Sequence, residues 1–304
     1  MTMPTSNPEF PKVYIILVNW NDYENTSTCL DSLLEINYPN YNIILVDNGS
    51  YDSSGEKISK EYTRCDVIFN EDNDGFAAGA NTGIKKALNY DEADYVLILN
   101  NDMTVEEDFL GPLVNAADTG DSIAITTGII KFMESDNIQS AGRTLNQKLV
   151  KSPHWDKPRD IIPYQTDCVS GALALFSREF LEECGLLDES YFFGMEDVEI
   201  SWRARCNGWK LLVVPDSVVH HRGGMTSKDT PFTWYHRIYG RLQFSTDYHD
   251  KTTTIIFAIY MVALTGRNMA KWALSGRRDL IISIFSAVID FIFQRQARYT
   301  PSSE

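Results

Sequence analysis

A carboxylate stands directly after the most strand-like run of the chain: Tyr95-Val96-Leu97-Ile98-Leu99 leads into Asn100-Asn101-Asp102. Open α/β sheets bind ligands at the carboxyl ends of their strands. One carboxylate flanked by amides suits a divalent cation shared with phosphate oxygens better than a cage built by protein alone. The competing reading is an N-cap for the helix expected over Glu106 to Ala117, with Glu106 and Glu107 in its first turn. A second acidic spot, Glu196-Asp197-Val198-Glu199, follows Phe192-Phe193 and opens a helix predicted over Glu196 to Asn207. Asp197 there could take a proton from a hydroxyl, although acids paired with a helix dipole would look the same. The run His220-His221-Arg222-Gly223-Gly224 comes after a predicted strand, Leu211 to Val214. A histidine in that place is either a metal ligand or structural.

Two further segments fit phosphate and nucleotide chemistry without proving it. Asp47 ends the predicted strand Asn42 to Val46 and could accept the ring N–H of a uracil-like base, but Asp47-Asn48-Gly49-Ser50 is also turn chemistry. The segment Asn73 to Gly83 carries Gly75, Gly79 and Gly83 four residues apart. Small residues at a helix start let a backbone approach an anion, and they equally permit close helix–sheet packing. The spacing is not that of the dinucleotide-binding fingerprint.

The elements that must hold these residues alternate. Strands are predicted at Val13 to Val18, Asn42 to Val46, Val67 to Phe69 and Tyr95 to Leu99, with helices Tyr23 to Leu34, Ser53 to Tyr62 and Gly75 to Asn89 between them. That pattern argues an α/β fold with a mostly parallel central sheet flanked by helices. Beyond Asp102 come the strand Ile123 to Ile130, a polar stretch from Glu134 to Gln165, the strand Gly171 to Ser177 and the helix Arg178 to Cys184. The 304 residues carry a net charge of −15, which disfavours nucleic acid as a partner. Five cysteines without a Cys-x-x-Cys pair predict buried free thiols in a reducing, cytoplasmic setting. Met1 to Phe10 has no signal-peptide pattern and is expected to be disordered.

From Thr233 the character changes. Ile255 to Leu264 and Leu280 to Phe293 are apolar runs, each shorter than a membrane span. Arg267, Lys271, Arg277, Arg278, Arg295 and Arg298 surround them against Asp279, Asp290 and Glu304. Amphipathic basic helices of this kind either lie on an anionic membrane surface or pack on the rest of the chain or on a second copy, making a homo-oligomer.

Taken in order, Val18-Asn19-Trp20-Asn21, Leu45 to Ser50, Asn73 to Gly83, Leu99 to Asp102, Val169-Ser170-Gly171-Ala172, Glu196 to Glu199 and Val219 to Gly224 resemble the family 2 glycosyltransferases of the GT-A fold, particularly a rhamnosyltransferase-like branch. The resemblance covers about residues 12–245. It implies inverting, metal-dependent transfer of a sugar from a nucleoside diphosphate, uridine- or thymidine-linked, to a hydroxyl of a glycan or lipid-linked acceptor in cell-envelope glycan synthesis. It implies donor contacts from Asn19, Asp47, Asn73, Gly75 and Gly79, and from Asn81, Asn101 and Asp102. Mg2+ or Mn2+ would sit on Asp102 and His221. Asp197 would be the base with Glu196 beside it, Gly171 and Trp202 would face the acceptor, and closure of the loop Arg222 to Thr230 would exclude water. Asn100-Asn101-Asp102 departs from the family's Asp-x-Asp pattern, so a single carboxylate serves the metal. The implied organisation is a GT-A domain over 11–232, with a donor half to about 105 and an acceptor half from about 106, followed by a helical region over 233–304. A sugar nucleotidyltransferase and a non-catalytic sugar-nucleotide-binding protein are the alternatives. The first lacks a basic glycine-rich loop near the N-terminus.

Overall fold

A computed structural model describes residues 10–90, 92–120, 122–223 and 229–295. The disorder expected of the N-terminus, most of the Arg222 to Thr230 loop including Gly224, and Arg298 and Glu304 lie outside these residues.

The first half alternates as the sequence predicts: β1 (Val13–Asn19), α1 (Tyr23–Leu34), β2 (Tyr41–Asn48), α2 (Ser54–Glu61), β3 (Cys65–Asn70), α3 (Phe76–Leu88) and β4 (Tyr95–Leu99). These strands pair in parallel in the order β3-β2-β1-β4. Parallel neighbours need long crossovers, and the three helices supply them. Side chains alternate faces along a strand, and here both faces are covered. Val13, Ile15 and Leu17 enter one core with Leu97 and Leu99, while Tyr14 and Ile16 enter the other with Val96 and Ile98.

The second half comprises β5 (Met103–Val105), α4 (Leu110–Ala117), β6 (Ile123–Phe132), β7 (Ile138–Ser140), β8 (Tyr164–Gln165), β9 (Leu173–Ser177), α5 (Arg178–Cys184), α6 (Glu196–Cys206) and β10 (Lys210–His221). The sheet continues past β4 as β9-β6-β10-β5. Here its direction is mixed, because β9 runs antiparallel to both β4 and β6 and β5 antiparallel to β10.

Two local differences from the sequence expectation matter for the site. The helix expected from Glu106 begins only at Leu110, and Phe109 at its N-cap makes no side-chain cap bond. Asp102 is therefore not a helix cap. It sits in the turn between β4 and β5. The strand expected over Leu211 to Val214 is twelve residues long and ends at His221. Pro215 concealed this, since proline cannot donate to a ladder and is tolerated at bulges. The register against β6 does shift between Val214 and Val218.

Three helices follow among the described residues: α7 (Pro231–Tyr248), α8 (Lys251–Leu274) and α9 (Arg278–Ile292). Thr230 and Thr233 form a reciprocal capping box and Pro231 stands in the first turn, so α7 has a defined start. One face of the three helices is packed: Trp234, Tyr235 and Phe244 of α7 meet Phe257 and Trp272 of α8, and Leu280 and Ile284 of α9. The other face is not. Ile255, Ile259, Val262, Ile282 and Phe285 are exposed. The two apolar runs looked too short to span a bilayer, but α8 continues through Gly266 and Arg267. It reaches 24 residues, long and apolar enough to cross a membrane by length and composition. Of the cysteines, Cys29 and Cys168 are buried as expected, whereas Cys65 and Cys184 are half-buried and Cys206 is exposed on the last turn of α6.

Candidate active site

Strand pairing brings the first two chemical residues together. β10 pairs with β5 so that His221 stands opposite Met103, and the Arg222 amide donates to the Asp102 carbonyl at 3.1 Å. The side chains follow: His221 Nε2 lies 3.0 Å from Asp102 Oδ1. On the far edge of the ring, His221 Nδ1 lies 2.8 Å from Gln139 Oε1. A neutral imidazole has one N–H. When Nδ1 donates it to Gln139, Nε2 turns a lone pair toward a carboxylate oxygen, an arrangement that asks for a cation. A hard divalent ion such as Mg2+ takes ligands at about 2.1 Å, and two of them at right angles stand about 3.0 Å apart. The pair thus fits two neighbouring positions on such an ion. Among the described residues, no group of three His, Cys, Asp or Glu side chains could hold a metal alone. Any ion held there would take its remaining ligands from a bound molecule or from water.

The acidic pair comes from the N-terminus of α6. Asp197 Oδ2 accepts from Arg143 Nη1 at 2.5 Å and from the Gly171 amide at 3.2 Å, and Oδ1 accepts from the Val198 amide at 2.7 Å. A carboxylate has about four acceptor positions, so Oδ1 keeps one for a further partner. Gly171 leaves room for the pair: a Cβ on it would stand 3.3 Å from both Asp197 Cβ and Glu196 Oε1, a tight contact. Glu196 is buried, and its Oε2 has no hydrogen-bond partner. Burial first, and then the Asp197 charge, push the Glu196 carboxyl far above the ordinary carboxylate range, to about 8. Near neutral pH the pair therefore holds one charge rather than two.

A single cavity of about 930 Å³ joins these groups. Of the residues singled out from sequence, Asp102, Asn101, His221, Asn73, Gly75, Gly171, Glu196 and Asp197 line it. Asn101 is held by its Nδ2 donating to Thr26 Oγ1 at 2.8 Å. Asn73 Oδ1 accepts from the Gly75 amide and from Asn48 Nδ2, each at 2.9 Å. Gly75 adopts φ +99°, and a Cβ there would meet the Phe192 carbonyl oxygen at 2.4 Å. Only glycine fits that position.

Five other expectations meet a different structure. Gly79 does not reach the cavity; it lets α3 lie against the sheet, where a Cβ would be 3.0 Å from Val18 and 3.1 Å from Asn48. Asn81 faces away, binding the Leu187 carbonyl and Glu189 at 2.8 and 2.9 Å through Nδ2 and the Leu187 amide through Oδ1. Trp202 packs against Phe244 of α7 in the helical core, 6.4 Å between ring centroids. Asn19 and Asp47 are buried, do not line the cavity and bind each other. Asn19 Nδ2 donates to Asp47 Oδ2 at 2.9 Å, and the Ser50 amide donates to Oδ1 at 2.9 Å. Asp47 thus closes its own turn.

Other cavity residues were not legible in the sequence. Trp20 and Asn48 stand inside motifs that carry the resemblance but give neither a role, and both line the cavity. Arg143 and His154 come from the irregular polar stretch, which has no period to place them. Burial, then the neighbouring Arg143, lower the His154 imidazole to about 4, so it is neutral and bonds Ser140 Oγ at 2.8 Å. Phe232, Thr233, Arg237 and Arg241 come from the start of α7, in the region read as an appendage.

The mixed α/β sheet flanked by helices is the GT-A fold, and solved structures share that fold. The chain superposes on GalNAc-T7 with UDP, GalNAc and Mn2+ at TM-score 0.66 and 20% identity, covering 80% of this chain and 49% of that one. It superposes on the mannosyltransferase PcManGT from Pyrobaculum calidifontis, in complex with GDP-Man and Mn2+, at TM-score 0.61 and 15% identity over 95% and 89% of the two chains. The model of Glycosyl transferase family 2 matches residues 14–185, and the chain belongs to that family. A poly-beta-1,6-N-acetyl-D-glucosamine synthase of Staphylococcus aureus is 24% identical over 209 residues, 68% of this chain and 49% of that protein. The chain spans about half the length of the curated relatives it matches.

Proposed function

We propose that this protein transfers one sugar, with inversion, from a nucleoside diphosphate to a hydroxyl of a glycan or lipid-linked acceptor. The observation that carries the reading is the single cavity onto which Asp102, His221 and Asp197 all open. Mg2+ or Mn2+ on Asp102 and His221, completed by the donor's diphosphate, would neutralise the charge of the leaving group. Two of the structural neighbours were solved with Mn2+, which supports a divalent ion here. Asp197, oriented by Arg143 and Gly171, takes the acceptor proton as that oxygen attacks the anomeric carbon. The bond to the diphosphate breaks on the opposite face, and its electron pair leaves with the diphosphate. Glu196, neutral at that point, donates to a sugar hydroxyl. Asn73, Gly75 and Asn101 position the donor. Asp47 supports a uridine or thymidine base only through the turn that it closes, and a rhamnosyl or other hexosyl donor follows from the resemblance.

We place the GT-A body over residues 11–232 and assign α8 and α9 to a membrane surface. Their exposed apolar face and the basic residues Arg267, Lys271, Arg277 and Arg278 support peripheral binding at the inner face of the membrane. Pairing of two copies through that face is the second reading.

A donor screen with Mg2+ and with Mn2+, with and without membrane extract, tests the reaction by its product. A transferase releases nucleoside diphosphate, whereas a nucleotidyltransferase releases pyrophosphate. With donor saturating, Asp197→Asn should lower turnover by about 10²- to 10⁴-fold. Near-normal turnover would remove Asp197 as the base. Deleting residues 251–304 should abolish partition onto anionic liposomes in a variant shown by circular dichroism to stay folded.

A further inference from the structure

A second pocket, of about 310 Å³, shares no lining residue with the first. It lies where β8 and the start of β10 meet the last turn of α6. One wall separates the two cavities. Arg143 lines the large cavity and the next residue, Thr144, lines the second pocket; His154 and Trp155 divide in the same way, as alternate residues of extended chain do. Hydrogen bonds fix that wall. The Arg143 amide donates to Thr166 Oγ1 at 2.9 Å, the Asp167 amide to the Arg143 carbonyl at 3.1 Å, and the Trp155 indole to Thr144 Oγ1 at 2.7 Å.

The charges on this pocket do not balance. Its titratable lining is Arg159, Arg205, Lys210 and Asp167. Arg205 and Asp167 satisfy each other, with Nη2 3.1 Å from Oδ1, and Asp167 Oδ2 accepts from the Leu145 amide at 3.0 Å. Arg159 and Lys210 are left over. Among the described residues, neither forms an ion pair or donates a side-chain hydrogen bond to protein. Asp156 and Asp160 flank Arg159 in sequence but line neither cavity. Two uncompensated cations in one concavity run against a chain of 42 acidic and 27 basic residues.

Arg159 is also held in place. Its Cζ stands 3.5 Å from the centre of the Trp155 ring. An upright guanidinium would bring a nitrogen to about 2.2 Å from that centre, because its C–N bonds are about 1.3 Å long, so the group lies close to flat. Stacking of this kind leaves the N–H donors pointing outward along the ring plane. Thr144 adds a donor, since its Oγ1 accepts from Trp155 while its own hydrogen has no protein acceptor among the described residues.

We propose that the second pocket is an anion site that takes a phosphate group on Arg159, Lys210 and Thr144. A carboxylate would balance only one of the two free cations. A phosphate group carries nearly two negative charges at neutral pH and accepts from several N–H and O–H donors at once. The site is distinct from the sugar-transfer cavity and does not rest on the glycosyltransferase reading.

The test is phosphorus NMR line broadening of inorganic phosphate by the full chain, at low ionic strength and with EDTA to remove divalent ions. Lys210→Gln and Arg159→Gln should each weaken phosphate binding about tenfold, and either alone keeps the test open should the other not fold. Arg241→Gln, on the wall of the large cavity, should change it less than about twofold. Sulfate should displace phosphate, and acetate should do so about tenfold less well. Tighter binding of glucose 6-phosphate than of inorganic phosphate assigns the group to a sugar, and the reverse to a free ion. No broadening by the wild type, acetate as effective as sulfate, or a loss in Arg241→Gln with both pocket variants unaffected overturns the proposal. Failure of the sugar-transfer reading looks different: phosphate binding would persist in a protein that turns over no sugar nucleotide.

Discussion

The cavity has two walls built by different means. One is made of strand ends. Asp102, Asn101 and His221 are fixed by sheet register, and small changes of geometry there are resisted by a core covered on both faces. The other is made of the α7 face and the irregular stretch that carries Arg143 and His154. Its side chains include the long, charged Arg143, Arg237 and Arg241, and hydrogen bonds and helix packing hold the wall rather than a ladder. The first wall suits a part that must not move, a metal ion and a diphosphate. The second suits the proposed acceptor, whose recognition would rest on side chains rather than on a ladder.

Breaking the strand-end wall should have the largest effect. Asp102→Ala removes the one carboxylate on the proposed ion and should cut turnover by about 10³-fold, with the metal concentration for half-maximal rate rising in parallel. Turnover within tenfold of wild type would move the metal away from this pair. Gln139→Leu tests the same wall one bond further out. It removes the acceptor of His221 Nδ1 and should weaken metal affinity about 10- to 100-fold, read as a shifted Mn2+ titration at unchanged donor KM.

The unequal legibility of the two walls has a physical origin. A buried parallel strand is a run of apolar residues with a definite end, so Leu99 and the polar residues after it announce a site. α1, β4 and α5 lie where apolar period and turn residues put them. Glycine is less informative. Gly75, Gly79 and Gly83 share a spacing, but Gly75 touches the cavity while a Cβ on Gly83 would meet Ile16 Cγ2 at 2.5 Å. Sequence spacing does not separate approach to a ligand from approach to a sheet. Arg143 is hidden for another reason. It reaches Asp197 across 54 positions from a segment with neither helical nor strand period, and only the folded chain shows the pair. Likewise α7 reads as the start of an appendage because its apolar face serves α8 and α9, while its polar face, which meets the cavity, resembles any solvated surface.

The acidic pair lies between the walls, and its effect should be of intermediate size. The folded chain keeps a proton on Glu196 that the unfolded chain releases near pH 4.3. Between that value and about 8 the folded state binds more protons, so this group's contribution to stability falls as pH rises. Glu196→Gln is neutral throughout. The melting temperature of the variant minus that of wild type should therefore grow from pH 5 to pH 8, while activity falls. A difference that is flat with pH would mean that Glu196 ionises normally.

The smallest effects should come from residues that hold a wall without facing the cavity, and they separate the walls most cleanly. Asn81→Ala breaks bonds from α3 to Leu187 and Glu189. It should cost about 1–3 kcal/mol of stability and leave donor KM unchanged; a donor KM raised tenfold in the folded variant would return Asn81 to the donor site. Thr230→Ala removes the cap of α7, whose hydroxyl accepts from the Thr233 amide at 3.2 Å, and should cost about 1 kcal/mol. α7 carries Arg237 and Arg241 but neither Asp102 nor His221. A loosened α7 start should therefore raise acceptor KM severalfold at constant donor KM. Equal changes in both would mean that the helical and strand-end walls respond as one body.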